Sequence, residues 1–441
     1  MANADVAKYF SNEDFANEIL SDSIVPNGFI IEKLLDGSDQ FREIMQGSKI
    51  KSMNGKDICG TNGFTSQINL ISIELHNENG HSSNKHKFSA ILKAVSPKRI
   101  EDIFKNFVNV ETDGEADNGK TEQMEKMKNQ MCLVHNKECD FYTLFGNVSK
   151  EVMPMPDIYY LQKSDAEKNI PGVLLMEDLT ESSCLGPLYE GLNVQQVKTV
   201  VHHLAAFHHF LLCETDANWR EIFSKSVFEK AEDTEDAFGE DFGDGMIDKI
   251  IEWKKDYFEI PLGKLKNVVK PKQMGYCFKE CVKDLGLPEL LMHGDLWTNN
   301  VLWDKKADGS PPEKVAAFID WQLLSTGNLA VDIARFVVIG CEPEVRKELD
   351  SFILEYYYDE FSRRMHESGK SVGYSIEQLR KAYDYAFIIQ ASMLSFMAKL
   401  FDQMKEGESK DNIEIFTKRA KIAAEDAVVV TERTAPEWFT L

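Results

Sequence analysis

The sequence predicts an α+β protein that has a strand-rich first lobe and a larger, mainly helical second lobe. Before residue 180, short segments alternate apolar and polar residues or form compact apolar runs, which is typical of strands. After residue 190, apolar residues recur mostly at helical spacing. A chain of 441 residues with 43% apolar composition is long enough for two cores. We place the lobes at residues 1–176 and 177–441.

Individual elements of the first lobe follow from local patterns. QINLISIEL (67–75), KFSAILKAV (87–95) and GVLLMEDL (172–179) predict strands. VHNKECDFYTLF (134–145) has the spacing of a helix with one broad apolar face. The polar segment 111–130 predicts a solvated loop or a frayed helix.

The second lobe is predicted to be helical apart from residues 289–323, where short strands such as VAAFID (315–320) bracket loops. An acidic segment, 229–248, predicts another solvated loop or frayed helix. Helices are predicted at 194–212, 246–258, 343–366, 376–402 and 410–431.

Composition restricts the partners and the compartment. A formal charge of −23 and a pI near 4.9 argue against nonspecific binding to nucleic acid or to anionic membranes. The N-terminus lacks an apolar signal region, and the longest apolar stretch (386–401) is too short for a membrane span. Eight cysteines without CxxC pairs fit reduced thiols. We therefore expect a cytoplasmic protein, and no protein partner can be inferred.

Polar residues in LMHGDLWTNNVLWD (291–304) are the strongest indication of a site, because burying polar groups is costly unless each has a partner. His293 and Asp295 lie in this segment, and Asp295 precedes Asn300 by five residues. The strand 315–320 ends at Asp320. Asn300 and Asp320 offer the oxygen ligands that Mg²⁺ prefers. Asp295 could accept a proton from a substrate hydroxyl. Together these residues suggest phosphoryl transfer.

Phosphoryl transfer also needs a cation for the phosphates that are not transferred. Lys93 lies inside the apolar strand 87–95, where a lysine must extend to solvent or meet an anion. Glu138, on the helix that follows, could pair with Lys93 and fix its ammonium group. The sequence therefore predicts a Lys93–Glu138 ion pair.

Two further segments are candidates for nucleotide contacts. In GTNGFTSQI (60–68), Gly60 and Gly63 would let backbone N–H groups approach phosphates, and Ser66 ends the loop. LLMEDL (174–179) could be a hinge whose backbone binds adenine. Its candidate residues are Met176, Glu177 and Leu179.

The sequence closely resembles the CHK kinase-like, or ecdysteroid-kinase-like, family in three motifs: HGDLWTNNVLW, FIDWQ and GNLAVDIAR (327–335). That family is related to the aminoglycoside and choline phosphotransferases, which share the protein-kinase-like fold. The resemblance covers residues from about 50 to about 400, and the GTNGFTS loop is most similar to the nematode branch. It implies a bilobal fold with a small antiparallel-sheet N-lobe and a larger helical C-lobe. It also implies ATP and Mg²⁺ as cofactors.

The same resemblance implies a phosphotransferase that acts on a small-molecule hydroxyl, such as a steroid, a glycoside, a xenobiotic alcohol or a choline-like compound. Asp320 is followed by Trp-Gln where protein kinases have Phe-Gly, and no APE motif marks an activation loop, so a protein substrate is not expected. The resemblance implies that Asp295 is the base and that His293 and Asp332 support the catalytic loop. It implies that Asn300 and Asp320 bind magnesium, and that Lys93, paired with Glu138, contacts phosphate. His208 matches the family's LAxFH stretch.

Each residue also has an ordinary structural explanation. Asp295 and Asn300 could cap turns, and His293 could be a core histidine with satisfied hydrogen bonds. Lys93 could protect an edge strand, and Glu138 could be an exposed helix acid. The two loop glycines could form a plain hairpin turn. Their joint order along the chain favours the catalytic explanation.

Alternative functions also stay open. A nucleotide-binding pseudokinase or regulatory scaffold would be expected to lack the lysine, the aspartate or the asparagine, and all three are present. A metal hydrolase would need ligands from a histidine-rich helix, where zinc-binding pairs are typically four residues apart. The spacings among the histidines of this helix do not match that pattern; they are His202, His203, His208 and His209.

Overall fold

The computed structural model describes residues 4–58, 66–77, 86–95, 118–224, 244–404 and 409–440. The chain forms two compact units: unit 1 is Met1–Asn147 with Pro156–Glu181, and unit 2 is Val148–Met155 with Ser182–Leu441. Unit 1 carries a small antiparallel sheet and unit 2 is mainly helical, so the predicted α+β class is confirmed. The assignment of nucleotide binding to 1–176 and of the substrate site to 177–441 stays a prediction.

Unit 1 is built around a five-stranded sheet whose strands all pair antiparallel. Its strands are β1 (Ser48–Asp57), β2 (Gln67–Asn77), β3 (His86–Val95), β4 (Ile158–Gln162) and β5 (Gly172–Glu177), in the order β1-β2-β3-β5-β4. Its helices are α1 (Ala4–Ala7), α2 (Asn27–Gly37), α3 (Asp39–Met45) and α4 (Asn118–Phe145), with a 3₁₀ turn at Glu13–Asn17.

The helices before β1 cover one face of this sheet. Ile71 and Ile73 are two residues apart on β2, so both point to the same face, and both are buried. Leu34 of α2 belongs to the same core, and the ring of Phe41 in α3 lies 4.8 Å from that of Phe88 in β3. Apolar burial of this kind is the main stabilising contribution to unit 1.

The sequence patterns identify β2, β3 and β5 but not β1, β4 or the first helices. β1 (SKIKSMNGKD) mixes lysines, Asn and Gly, and β4 has five residues, so neither has a clear strand pattern. α4 has 28 residues and begins at Asn118, so the predicted helix 134–145 is only its last part. Within segment 111–130, the described residues from Asn118 onward are helical.

Unit 2 is mainly helical and contains two small antiparallel ladders, β6-β8-β9 and β7-β10. The strands are β6 (Ser183–Leu185), β7 (Leu290–Met292), β8 (Val301–Asp304), β9 (Val315–Phe318) and β10 (Ser325–Gly327). The helices are α5 (Val194–Cys213), α6 (Trp219–Ile222), α7 (Asp244–Trp253), α8 (Lys255–Leu265), α9 (Pro271–Gly275), α10 (Cys281–Asp284), α11 (Val331–Gly340), α12 (Pro343–Asp350), α13 (Ile353–Glu367), α14 (Ile376–Met404) and α15 (Lys410–Thr434). Shorter turns are Tyr276–Glu280, Thr298–Asn300, Trp321–Leu323 and Pro436–Thr440.

Two predicted helices of unit 2 are each divided in two. The predicted 246–258 helix is interrupted at Lys254, and 343–366 is interrupted before Ile353. Amphipathic spacing continues across both breaks, so the spacing alone hides them. Of the acidic segment 229–248, residues up to 243 lie outside the described residues and the rest begins α7. Within the described part of the chain, no helix is long and apolar enough to cross a membrane.

Candidate active site

The ladder between β8 and β9 brings Asn300 and Asp320 to one end of a sheet. Val301 of β8 pairs with Phe318 of β9. One step beyond this pair, the N–H of Ile319 donates to the carbonyl oxygen of Asn300 at 3.1 Å. Asn300 directly precedes β8 and Asp320 comes two residues after the end of β9, so both lie where the ladder ends.

The Asp295 carboxylate lies between Asn300 and Arg335. Its Oδ2 accepts a hydrogen bond from Asn300 Nδ2 at 3.2 Å, and the same Nδ2 donates to the Asp295 carbonyl oxygen at 2.8 Å. Its Oδ1 accepts from Arg335 Nη2 in an ion pair whose side chains are 17% and 12% exposed. Burial raises the pKa of the Asp295 carboxyl above its usual value, the Arg335 charge opposes this, and nearby Asp320 adds to it.

Asp332, at the start of α11, fixes the backbone that leads to Asp295. Its carboxylate accepts the N–H of His293 at 2.7 Å and the N–H of Gly294 at 3.0 Å. Gly294 has a φ of 79°, and a Cβ there would collide with the carbonyl oxygen of Leu323, so the turn requires glycine. Asp332 is buried, and burial raises the pKa of its carboxyl.

His293 uses both ring nitrogens within the protein. Its Nε2 donates to the carbonyl oxygen of Ile319 at 3.0 Å, and its Nδ1 accepts the N–H of Asp295 at 3.3 Å. We infer the neutral tautomer with hydrogen on Nε2 from these partners. Burial lowers the pKa of this imidazole, and its ring centre lies 4.5 Å from that of Trp321. The ring therefore joins the Asp295 segment to the end of β9.

The chemistry of Asn300 and Asp320 fits magnesium. The Nδ2 group of Asn300 faces Asp295, so its amide oxygen is the atom that can ligate a cation. Asp320 has a left-handed backbone (φ 67°, ψ 56°), which Asp tolerates better than most residues, and Gln322 Nε2 donates to its Oδ2 at 3.3 Å. No cluster of three or more His, Cys, Asp or Glu in the described ranges could hold a metal. Mg²⁺ often binds through one or two carboxylates plus phosphates and water, which matches this sparse set.

Lys93 and Glu138 form the predicted ion pair in unit 1. Lys93 Nζ lies 2.7 Å from Glu138 Oε2, and the two side chains are 5% and 1% exposed. β3 lies between β2 and β5, so Lys93 is on an interior strand. The explanations as an edge-strand lysine and an exposed helix acid are therefore excluded. His135 of α4 is also buried, which, together with the Lys93 charge, lowers its pKa to about 4.

Of the predicted phosphate-binding loop, Gly60 and Gly63 lie outside the described residues. Ser66 is described, is buried, and directly precedes β2. The contact of this loop with phosphate therefore stays a prediction.

The predicted hinge residues begin inside a strand. Met176 and Glu177 are the last two residues of β5 and pair with β3, while Leu179 follows the strand and is half-buried. The N–H of Glu177 donates to the carbonyl oxygen of Asp157 at 2.8 Å, so this N–H is used within the protein. A backbone contact to adenine at Glu177 would have to use another group.

The histidines of α5 have separate partners. His203 Nδ1 bonds the carbonyl oxygen of Val152 at 3.1 Å, and the fully buried His208 bonds Tyr357 Oη at 2.7 Å. The other two histidines contact polar groups of α13 and of the turn after it: His202 lies next to Glu360 and Arg364, and His209 next to Ser368.

Arg335 ends the GNLAVDIAR motif but was not among the predicted site residues. The helix VDIARFVVIG holds two charged residues, Asp332 and Arg335, three positions apart and therefore on one face. Charged residues so spaced in an otherwise apolar helix were the available signal. Arg335 Nη1 also donates to Gln390 Oε1 of α14 at 2.9 Å.

Comparisons with known proteins support a family assignment. The model of the DUF1679 family, described as "Uncharacterized oxidoreductase dhs-27", matches residues 44–434. The Caenorhabditis elegans protein "Uncharacterized oxidoreductase dhs-27" is 24% identical over 391 residues, which are 87% of this chain and 43% of that protein. The chain thus spans less than half the length of this curated relative. The C. elegans "Uncharacterized kinase-like protein D1044.1" is 24% identical over 279 residues, 62% of this chain and 68% of that protein.

Solved structures give more distant similarities. A putative aminoglycoside phosphotransferase from Ralstonia eutropha has a TM-score of 0.41 at 12% identity, covering 89% of this chain and 97% of that chain. A spectinomycin phosphotransferase in complex with ADP and spectinomycin has a TM-score of 0.40 at 12% identity, covering 89% and 98%. The family match and the kinase-like relative confirm the family relationship that the sequence predicts. Since the family model covers most of the sequence, the chain belongs to the DUF1679 family.

Proposed function

We propose that this chain is an ATP- and Mg²⁺-dependent phosphotransferase that transfers the γ-phosphate to a hydroxyl group of a small molecule. One observation carries the proposal: a carboxylate, Asp295, is held by Asn300, and Asn300 and Asp320 lie together at one end of the β8-β9 ladder. A base beside two oxygen ligands is what phosphoryl transfer to an alcohol requires.

In this proposal Asp295 orients the acceptor hydroxyl and takes its proton. The hydroxyl oxygen forms a bond to the γ-phosphorus, while the bond between that phosphorus and the β,γ-bridging oxygen breaks. ADP leaves with the electron pair of the broken bond. Asn300 and Asp320 are the residues that would hold Mg²⁺, which when bound neutralises charge on the phosphates.

Lys93 has the proposed role of contacting the phosphates that are not transferred. Glu138 accepts a hydrogen bond from its ammonium group at 2.7 Å, and this contact fixes the position of the positive charge that would face the phosphates. Asp332 and His293 are proposed to hold the loop that carries Asp295, because their contacts fix its backbone. The candidate acceptors are steroids, glycosides, xenobiotic alcohols and choline-like compounds, and the acidic charge is compatible with a cationic acceptor.

The name of the longer relative does not lead us to propose an oxidoreductase. Each ladder between the strands that the structure describes is antiparallel. Dinucleotide-binding folds use a mostly parallel sheet whose first strand leads into a phosphate-binding helix. The arrangement of these strands gives such a site no support in this chain.

A thermal-unfolding titration tests the proposal. We expect ATP with MgCl₂ to raise the unfolding midpoint, and ATP alone, MgCl₂ alone or ATP with EDTA to raise it much less. A panel of sugar alcohols, amino alcohols and sterols is then screened for ADP release. Stabilisation without ADP release from any acceptor would favour the pseudokinase alternative, and no stabilisation at all would contradict nucleotide binding.

A further inference from the structure

Helix α11 holds three consecutive residues of the catalytic segment through two side chains. Asp332 accepts the backbone N–H groups of His293 and Gly294 at 2.7 and 3.0 Å. Arg335, three positions further along the same helix face, donates through Nη2 to the Asp295 carboxylate. The first contact fixes the backbone, and the second fixes only a side chain.

Arg335 is itself held from a second helix. Its Nη1 donates to Gln390 Oε1 on α14 at 2.9 Å, and Gln390 is buried. A guanidinium group is planar, so contacts through Nη1 and Nη2 to different partners define the orientation of the whole group. With only 12% of its side chain exposed, Arg335 has little room to turn away from Asp295.

We propose that Arg335 is a positioning residue for Asp295. By binding Oδ1, it directs Oδ2 toward Asn300, which donates to that atom at 3.2 Å. The oxygen on the Asn300 side is then the one that meets the acceptor hydroxyl. This inference rests on the proposed phosphotransferase function and gives a role to Arg335, which ends the GNLAVDIAR motif but has none among the roles that the resemblance implies.

Arg335 is not needed to hold the loop that carries Asp295, because other contacts already hold it. The backbone before Asp295 is already fixed by Asp332, and the Asp295 N–H donates to His293 Nδ1. Loss of Arg335 would therefore leave the loop in place, while the carboxylate would keep its Asn300 hydrogen bond but lose the contact at Oδ1 that opposes its rotation. Small misplacements of a catalytic group cost about 10²-fold in rate.

The test compares Arg335→Ala and Arg335→Lys with a matched control, Arg363→Ala. Arg363 is half-exposed on α13 and pairs with Glu360 and Glu367, so it resembles Arg335 in chemistry but lies outside the proposed site. ADP release is measured with ATP and MgCl₂, first with water and then with the acceptor panel described above. We expect Arg335→Ala to lower kcat by about 10²-fold with little change in the KM for ATP.

Two further results separate positioning from structural support. Added guanidinium, at concentrations that leave the free energy of unfolding unchanged, is expected to restore part of the activity of Arg335→Ala. Arg335→Lys is expected to retain intermediate activity, because it keeps the charge but loses the planar fork. It also provides the measurement if the alanine variant does not fold.

The outcomes distinguish this inference from the function on which it rests. If the wild-type protein releases no ADP, the proposed function fails and this inference fails with it. If the wild-type protein is active and both Arg335 variants match the Arg363 control, only the positioning role is overturned. A loss that guanidinium does not restore, together with a lowered unfolding midpoint, would likewise overturn it in favour of structural support.

Discussion

Each unit of this chain contributes an ion pair to the proposed function, and the two pairs differ in how fully the protein encloses them. Lys93 and Glu138 are 5% and 1% exposed, whereas Arg335 and Asp295 are 12% and 17% exposed. A nearly sealed pair keeps its charges fixed in one geometry. A partly open carboxylate is still accessible to a substrate. Under the proposed function, we expect the first pair to fix a positive charge and the second pair to take part in the chemistry.

The two ion pairs also differ in how readily the sequence predicts them. A lysine inside the apolar strand KFSAILKAV is conspicuous, and a following helix with a glutamate suggests its partner. The partner of Asp295 lies 40 residues further along the chain, on α11. Helical spacing shows that Arg335 shares a face with Asp332, but which loop this face meets depends on tertiary packing.

The largest expected effect is on turnover, when the partly exposed pair of Asp295 and Arg335 loses its carboxylate. Asp295→Asn should lower turnover about 10²–10⁴-fold, because an amide cannot take the proton of the substrate hydroxyl. Stabilisation by ATP with MgCl₂ should stay largely intact. Asp304→Asn is the matched control, since Asp304 forms a more exposed pair with Lys314. Steady-state ADP release and thermal unfolding measure the two properties. Wild-type turnover in Asp295→Asn would show that Asp295 is not the base.

The next largest expected effect is on the stability of the protein, when the enclosed pair of Lys93 and Glu138 loses its lysine. Lys93→Met leaves the Glu138 charge buried without its lysine, so the free energy of unfolding should fall by about 3–5 kcal/mol. The double variant with Glu138→Leu should recover much of this loss, and both variants should lose nucleotide binding. Urea denaturation measures the difference. If Lys93→Met costs no more stability than Arg335→Ala, the two pairs do not differ in the way that their burial indicates.

A smaller effect per residue comes from buried histidines, which make the stability of each unit depend on pH independently of the two ion pairs. Burial lowers the pKa of His135 in unit 1 and of His208 in unit 2 to about 4. The unfolded chain binds these protons near pH 6.5, so folding stability is lost as the pH falls from about 6.5 toward 4. The loss should be about 2 kcal/mol for each histidine at pH 5. Denaturation at pH 7 and pH 5 measures it, and equal stability at both values would contradict neutral buried histidines.

Much of the fold was predictable because its central elements have regular patterns. β2, β3, β5 and the long helices α5, α14 and α15 agree closely with their predicted ranges. β1 and β4 were not predicted, because one is rich in polar residues and the other is short. The helices before β1 were not assigned, and their role depends on packing against a sheet face that only the folded structure defines.

The candidate site was predictable where residue types reveal chemistry. Asp295, Asn300 and Asp320 lie in or directly after apolar segments, and the structure brings these residues of unit 2 together. The predicted adenine contact of the hinge stays a prediction, and the sequence does not show that the N–H of Glu177 donates to the carbonyl oxygen of Asp157. Local propensity predicts elements, whereas hydrogen-bond partners between distant segments require the tertiary structure.

The carboxylate of Asp332 has a consequence for local motion. The segment that carries the proposed base is a loop, and loop amides usually exchange with solvent through small local openings. The N–H groups of His293 and Gly294, however, end on a carboxylate that is 1% exposed and belongs to the apolar helix α11. Exposing them to solvent requires breaking the packing of that helix. Their hydrogen exchange should therefore follow the unfolding of the helical core, so that a loop without regular secondary structure belongs to its most rigid part.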